Sequence, residues 1–202
     1  KQPRFKPATG VARASREKDR MSGDNFAFFI SADGCQISAV SDGTGSGKKA
    51  EYYSRTAIQM LENFVDDGLE ISQVIRFLNL FLELKGENER LATMDICTID
   101  LSTGAAFFYK IGAPASFIKR KQEVVPVEGK PETMAAGDFV IMFSDGVLEA
   151  FSPDGGLSEL QKYLEKIDTV NAQQMADAIL QQALSLSKEN HDDMLVLVTK
   201  VW

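Results

Sequence analysis

The sequence predicts an α+β fold in which sheets are sandwiched between helical layers. Three observations carry this. Strand-like apolar runs are grouped together, and helical patterns enter between the groups. Two of the runs, ISAVSDG (37–43) and VIMFSDG (140–146), end in the same Ser-Asp-Gly tripeptide. A third acidic pair, Asp192-Asp193, stands directly before the apolar run MLVLVTKV.

The elements follow in order. GVARAS (10–15) and NFAFFIS (25–31) read as early strands, with the polar REKDRMSGD between them, and CQISAVS is the next strand. From Lys48 the period becomes helical: Tyr53, Ala57, Met60, Leu61 and Phe64 share one face, and Gly68 offers a stop. A second helix is expected from Ile71 to Lys85. Its apolar residues run almost all round, which predicts a core helix between two layers, with a partner or second subunit as the alternative. ATMDICTIDL and GAAFFYKIGA flank Ser102-Thr103-Gly104 as a hairpin. ASFIKR and EVVPV form another pair, whose basic tip (Lys119, Arg120, Lys121, Gln122) reads as a solvated turn. VIMFSDG is a central strand and SPDGG (152–156) a loop. Asn171, with Gln174 three residues on, caps a helix that points Ala172, Met175, Ile179, Ala183 and Leu186 inward. DMLVLVTKVW is the final strand.

Composition narrows the function. A chain of 202 residues is most simply one domain, 1–202, large enough for a substantial core. A net charge of −7 argues against nucleic acid as main partner, because a phosphate backbone calls for a basic face. An acidic protein that handles phosphate must borrow positive charge, and metal ions are the natural source. Cys35 and Cys97 lie inside apolar runs and read as buried small hydrophobes, not a disulfide. No apolar run approaches the roughly eighteen residues of a membrane span. The sequence has no signal peptide and no initiating Met, so a domain excised from a longer protein is expected.

The stretch SDGTGSGKKA (41–50) could be mistaken for a nucleotide-binding loop. That loop needs four residues between its glycines and a Ser or Thr after the Lys. Here Gly43 and Gly47 are one residue too close, and Lys49 stands where the hydroxyl should be. The metal would lose its protein ligand. A flexible Gly-rich turn before a helix is the plainer reading of the spacing, with Lys48 and Lys49 flanking the helix start. The acidic residues point elsewhere. Carboxylates at the ends of three strands can converge on one rim of a sheet, and hard oxygen ligands suit Mg²⁺ or Mn²⁺. One strand-end Asp is usually a turn residue. Three clusters, two in an identical tripeptide, are harder to dismiss.

SGDN (22–25), SDGTGSGKKA, ATMDICTIDL (92–101), YKIGAPASFIKR (109–120), FSDGVLEA (143–150) and HDDMLVLV (191–198) occur in an order that resembles the PPM-type metal-dependent serine/threonine phosphatases. The resemblance covers nearly the whole chain and is strongest to sporulation phosphatases. It implies an αββα sandwich of two mainly antiparallel sheets flanked by helices. It also implies two Mn²⁺ or Mg²⁺ ions. Asp42 matches the aspartate that bridges them, and Gly43 the glycine whose carbonyl ligates one. Asp145 and Asp192 match the carboxylates that complete the other. These three aspartates would act catalytically through a water held by the metals. Asp24 matches an acidic residue behind that water, and Asp193 is ranked with it as a supporting residue. Ser41 and Ser144 read as turn hydroxyls, not nucleophiles. His191, the only histidine, reads as structural or exposed, with general-acid chemistry as the sharper alternative.

The resemblance further implies a phosphorylated anti-sigma factor antagonist as substrate and release of a sporulation sigma factor as output. It places the domain on the cytoplasmic side of a membrane-anchored parent. A stress-response phosphatase acting on a related antagonist is the alternative, and a catalytically silent binding module another. The helices at 48–85 are a candidate homodimer surface. The chain departs from the family between VEGK (127–130) and MAAGD (134–138), where an expected Leu-Pro-x-Gly stretch is absent.

Overall fold

The computed structural model describes residues 2–16, 22–45, 47–83, 91–127, 129–152, 156–187 and 192–202. The chain opens with β1 (Pro7–Ala14), β2 (Asp24–Ile30) and β3 (Cys35–Gly43), followed by helices α1 (Lys48–Asp66) and α2 (Ile71–Glu83). Five strands come next: β4 (Ala92–Asp100), β5 (Ala105–Ile111), β6 (Ser116–Arg120), β7 (Glu123–Val127) and the short β8 (Glu132–Thr133). Then β9 (Phe139–Phe143) leads into α3 (Asp145–Phe151), α4 (Ser158–Lys166) and α5 (Ala172–Leu186), and β10 (Met194–Val201) closes the chain.

Among the described residues these strands form two five-stranded sheets, ordered β1-β10-β9-β6-β7 and β2-β3-β4-β5-β8. All the strand pairings within them are antiparallel. Alternation along β10 shows how the layers arise. Met194, Val196 and Val198 meet Met175, Ile179 and Leu160 from the α4–α5 layer. Leu195 and Leu197 point the other way, to Val40, Cys97, Ile99 and Phe108 of the second sheet. That second sheet buries Ile37, Ala39, Met94 and Ile96 beneath Ala57, Leu61, Val74, Leu78 and Leu82 of α1 and α2. The result is the expected αββα sandwich.

Several local expectations hold. Asn171 Oδ1 accepts the Gln174 N–H at 3.0 Å, so the cap of α5 forms as its sequence dictates. Gly68 follows α1 at φ +81°, where a side chain would be strained. The β4–β5 and β6–β7 hairpins pair in the expected places.

Others are corrected. Helix α2 is not sandwiched between layers: Val74, Leu78 and Leu82 are buried, but Phe77 and Leu80 are 48% and 61% exposed. Only one sheet lies beneath it, so one face suffices. The β6–β7 turn itself, Lys121 and Gln122, is exposed as expected, but the two basic residues before it are engaged. The Lys119 ammonium donates to the Leu164 carbonyl at the end of α4 at 2.8 Å. Arg120 pairs with Asp138 and Glu132. Leu186, at the last residue of α5, is exposed instead of inward. Cys97 is buried, whereas Cys35 is half-exposed, and both are free thiols. Helices α3 and α4 were not foreseen; α4 carries its buried Leu160 and Leu164 four residues apart.

Candidate metal centre

The site is built by strand ends. Asp42 and Gly43 terminate β3, Asp24 begins β2, and the antiparallel ladder sets Asp24 directly opposite Asp42. Residues paired this way project from the same face. It is the face that Phe26 and Val40 turn toward the space between the sheets. In the other sheet β9 and β10 are paired, and Ser144 N–H donates to the Leu195 carbonyl at 3.0 Å. Asp145 and the Asp192-Asp193 pair therefore emerge at one end of that sheet. The two ends are tied together: Asp193 Oδ2 accepts the Gly23 N–H at 2.6 Å.

The carboxylates sense one another. Burial, followed by the Asp145 and Asp192 carboxylates, pushes Asp42 up to about 7. Burial and then Asp42, with smaller contributions from Asp193 and Asp192, push Asp24 up to about 8. Asp145 is also raised, by burial and by Asp192. Asp24 is only 2% exposed. The nearby Ser144 hydroxyl acts in the opposite direction. It forms no bond of hydrogen-bonding geometry, and both Asp24 carboxylate oxygens are buried without a partner. An ionised carboxylate in that condition is costly unless a cation arrives.

The backbone is shaped to the same end. A Cβ placed on Gly43 would lie 2.2 Å from the Ala50 carbonyl oxygen in α1, and one on Gly146 would lie 2.2 Å from the Asp193 carbonyl oxygen. The glycine of each Ser-Asp-Gly is thus a close-approach position. The serines are structural: Ser41 Oγ donates to the Thr93 carbonyl at 2.9 Å, and Ser144 Oγ accepts the Leu195 N–H at 3.0 Å.

The structure therefore brings together Asp24, Asp42, Gly43, Asp145, Asp192 and Asp193. The Asp193 carboxylate is engaged with backbone, taking the Arg16 N–H at 2.7 Å as well as that of Gly23. His191 lies outside the described residues. Among the described residues, no three acidic, thiol or imidazole side chains close around a single point. Cations there would be held by carboxylates from separate strand ends. The orphaned Asp24 oxygens and the all-oxygen donor set fit hard divalent cations. Sequence reasoning missed the Gly23 contact, since nothing in SGDN signals that a distant carboxylate holds its backbone.

Comparison with known proteins agrees with this architecture. The chain is 31% identical over 216 residues to stage II sporulation protein E of Priestia megaterium, covering 96% of this chain and 36% of that protein. It is 28% identical to the Bacillus subtilis protein of the same name, covering 98% of this chain and 26% of the relative. The phosphoserine phosphatase RsbU of B. subtilis is 24% identical over 96% of this chain and 63% of its own length. The chain thus spans about a quarter to a third of the length of the two sporulation relatives. The PP2C phosphatase domain of B. subtilis SpoIIE, solved with a fragment of its regulatory domain, superposes with a TM-score of 0.91 at 28% identity, covering 99% of this chain and 65% of that one. The family model for stage II sporulation protein E matches residues 32–135 and 126–202, and the chain belongs to that family.

Proposed function

We propose that this domain is a metal-dependent phosphoserine protein phosphatase whose substrate is a phosphorylated anti-sigma factor antagonist. Its action would promote release of a sporulation sigma factor. The observation that carries the reading is Asp24: two buried carboxylate oxygens with no donor, facing Asp42 at a rim of further aspartates. A fold that gathers such negative charge is complete only with cations. Asp42, the Gly43 carbonyl, Asp145 and Asp192 would hold two of them, Mn²⁺ or Mg²⁺, with Asp24 and Asp193 in support. Bound there, the cations supply positive charge for the phosphoryl oxygens and acidify the attacking water.

The chain's own residues do the rest. Asp42 and Asp145 come from different sheets, so the sandwich fixes their separation more firmly than a loop could. The Asp24 carboxylate faces the site as an acceptor for a water proton. Ser41 and Ser144 are spent on backbone bonds, which leaves water as the nucleophile.

A second reading, a stress-response phosphatase acting on a related antagonist, is supported by the similarity to RsbU. A catalytically silent module is disfavoured because every matched metal position keeps its Asp. The exposed Phe77 and Leu80 of α2 support pairing of two copies through the helices at 48–85, which sedimentation would test. Among the described residues no helix is long and apolar enough to cross a membrane. Anchoring would belong to other segments of the parent protein.

The test is phosphate release from phosphoserine forms of sporulation and stress antagonists, with Mn²⁺ and with chelator added. Chelator-sensitive release, faster on the sporulation antagonist, is expected. Absence of release with Mn²⁺, or release indifferent to chelator, would overturn the reading.

A further inference from the structure

Gly23 is held on both sides of its own residue. Its N–H is taken by Asp193 Oδ2, at the start of β10, at 2.6 Å. Its carbonyl accepts the Ser54 hydroxyl of α1 at 2.5 Å, and also the Gly43 N–H at 3.2 Å. Ser54 is fully buried and in turn accepts the Asn25 side-chain amide at 2.8 Å. The other oxygen of Asp193 takes the Arg16 N–H. The peptides on either side of Gly23 are thereby gripped from a helix of one outer layer and from the residue that precedes β10 of the opposite sheet.

This arrangement is more than the ladder requires. Strand β2 is at the edge of its sheet, and Asp24 is its first residue. An edge-strand end ordinarily frays. Here the end must carry a buried carboxylate whose oxygens receive no hydrogen bond of their own. No bond of hydrogen-bonding geometry holds the Asp24 carboxylate, so its placement leans on its backbone. A Cβ on Gly23 would come into ordinary contact with the Ala50 Cβ at 3.4 Å and Asp193 Oδ2 at 3.5 Å, so α1 and the Asp193 carboxylate both lie directly against this residue.

We infer that Ser54 and Asp193 are positioning residues that fix Asp24 in the candidate metal site by bracing Gly23 from two sides. Asp193 therefore acts through backbone, not as a ligand. Ser54, in the second turn of α1, makes that helix part of the support for Asp24 as well as for Gly43. The inference rests on the metal-site reading above. Groups that orient metal ligands cost about 10- to 100-fold in affinity or activity when removed, and the same size of effect is expected here.

The test compares Ser54→Ala, Asp193→Asn and, as control, Ile58→Val, which trims the buried face of the same helix without touching Gly23. Mn²⁺ affinity is measured by calorimetry, and amide exchange at Gly23 and Asp24 is followed without metal. Ser54→Ala and Asp193→Asn should each weaken Mn²⁺ binding about tenfold or more and speed exchange at Gly23 and Asp24. Ile58→Val should lower thermal stability while leaving both readouts at the wild-type value. Folded Ser54→Ala and Asp193→Asn proteins with wild-type affinity and exchange would overturn the inference. Failure of the wild type to bind Mn²⁺ would instead overturn the metal-site reading, and exchange at Gly23 would then decide on the brace alone.

Discussion

Asp24 stands directly opposite Asp42 across the β2–β3 ladder, two buried or half-buried carboxylates on one face of one sheet. The metal-free domain should consequently show an unusual pH dependence. Burial and then the Asp42 carboxylate raise Asp24 to about 8, and burial followed by Asp145 and Asp192 raises Asp42 to about 7, from an ordinary value of 3.8. The folded state thus keeps protons that the unfolded chain has already released. By linkage, the stability these groups contribute is fully present below pH 4 and is lost as pH rises through 7 to 8. Urea unfolding in chelator should give a domain less stable at pH 8.5 than at pH 6, by on the order of 2 kcal/mol. Asp24→Asn should flatten that slope. A metal-free stability that is level or rising over this range would contradict the burial argument.

Replacing single ligands separates activity from folding. Asp42→Asn, Asp145→Asn and Asp192→Asn should each reduce Mn²⁺-dependent phosphate release by about a hundredfold or more, a scale set by the loss of electrostatic stabilisation at a reacting group. Each also removes one charge from a mutually repelling set, so metal-free stability should stay level or rise. Wild-type rates in two of the three variants would sink the assignment of these residues to metal.

The two Ser-Asp-Gly glycines should be intolerant of even one methyl group. In both, a Cβ would sit 2.2 Å from a backbone oxygen, of Ala50 for Gly43 and of Asp193 for Gly146. Backbone cannot rotate aside as a side chain can. Gly43→Ala and Gly146→Ala are therefore expected to lose about 1–3 kcal/mol of stability, as overpacking does. They should weaken Mn²⁺ binding as well, because α1 or the Asp192-Asp193 segment must shift. Gly45→Ala is the contrast. Its added Cβ meets nothing within 4 Å, though φ is +91°, so its cost should be local strain without displacement of Asp42. Thermal melts and calorimetric titrations of the three variants check this ordering.

The sheets and the acidic rim were legible in sequence because both follow from short-range pattern. Apolar runs in ATMDICTIDL and DMLVLVTKVW mark buried strands, and carboxylates at strand ends have few other places to go. Helix α2 was misjudged because periodicity reports which residues are apolar, not how many layers exist to cover them; Phe77 and Leu80 are left outside. Lys119 was misread for a related reason. Its ammonium finds the carbonyl end of α4, 45 residues away in sequence, and no local pattern announces such a partner. The grip of Ser54 and Asp193 on Gly23 was invisible on the same grounds. Its partners are backbone atoms, and backbone atoms carry no sequence signature.

The strongest stability prediction concerns a buried ion pair between the sheets. Lys110 Nζ of β5 lies 2.6 Å from Asp95 Oδ2 of β4, its register partner. It also donates to Ser116 Oγ of β6, in the opposite sheet, at 2.6 Å, and Ser116 donates to the same Asp95 oxygen at 2.5 Å. Burial pushes Asp95 up and Lys110 down, each toward its neutral form, while the partner opposes the shift. Asp95 Oδ1 has no hydrogen-bond partner, so the pair is only partly satisfied. Such a pair adds little over apolar packing, yet stranding one member is expensive. Lys110→Met should therefore cost about 3–5 kcal/mol by leaving an uncompensated carboxylate in the core. Asp95 would then be raised further, so the deficit should be greatest at neutral pH and shrink as pH falls toward the ordinary carboxylate value. The double variant Asp95→Leu with Lys110→Met should recover most of the loss. A double variant no more stable than Lys110→Met alone would show instead that the Lys110 side chain matters for its packing and not for its charge.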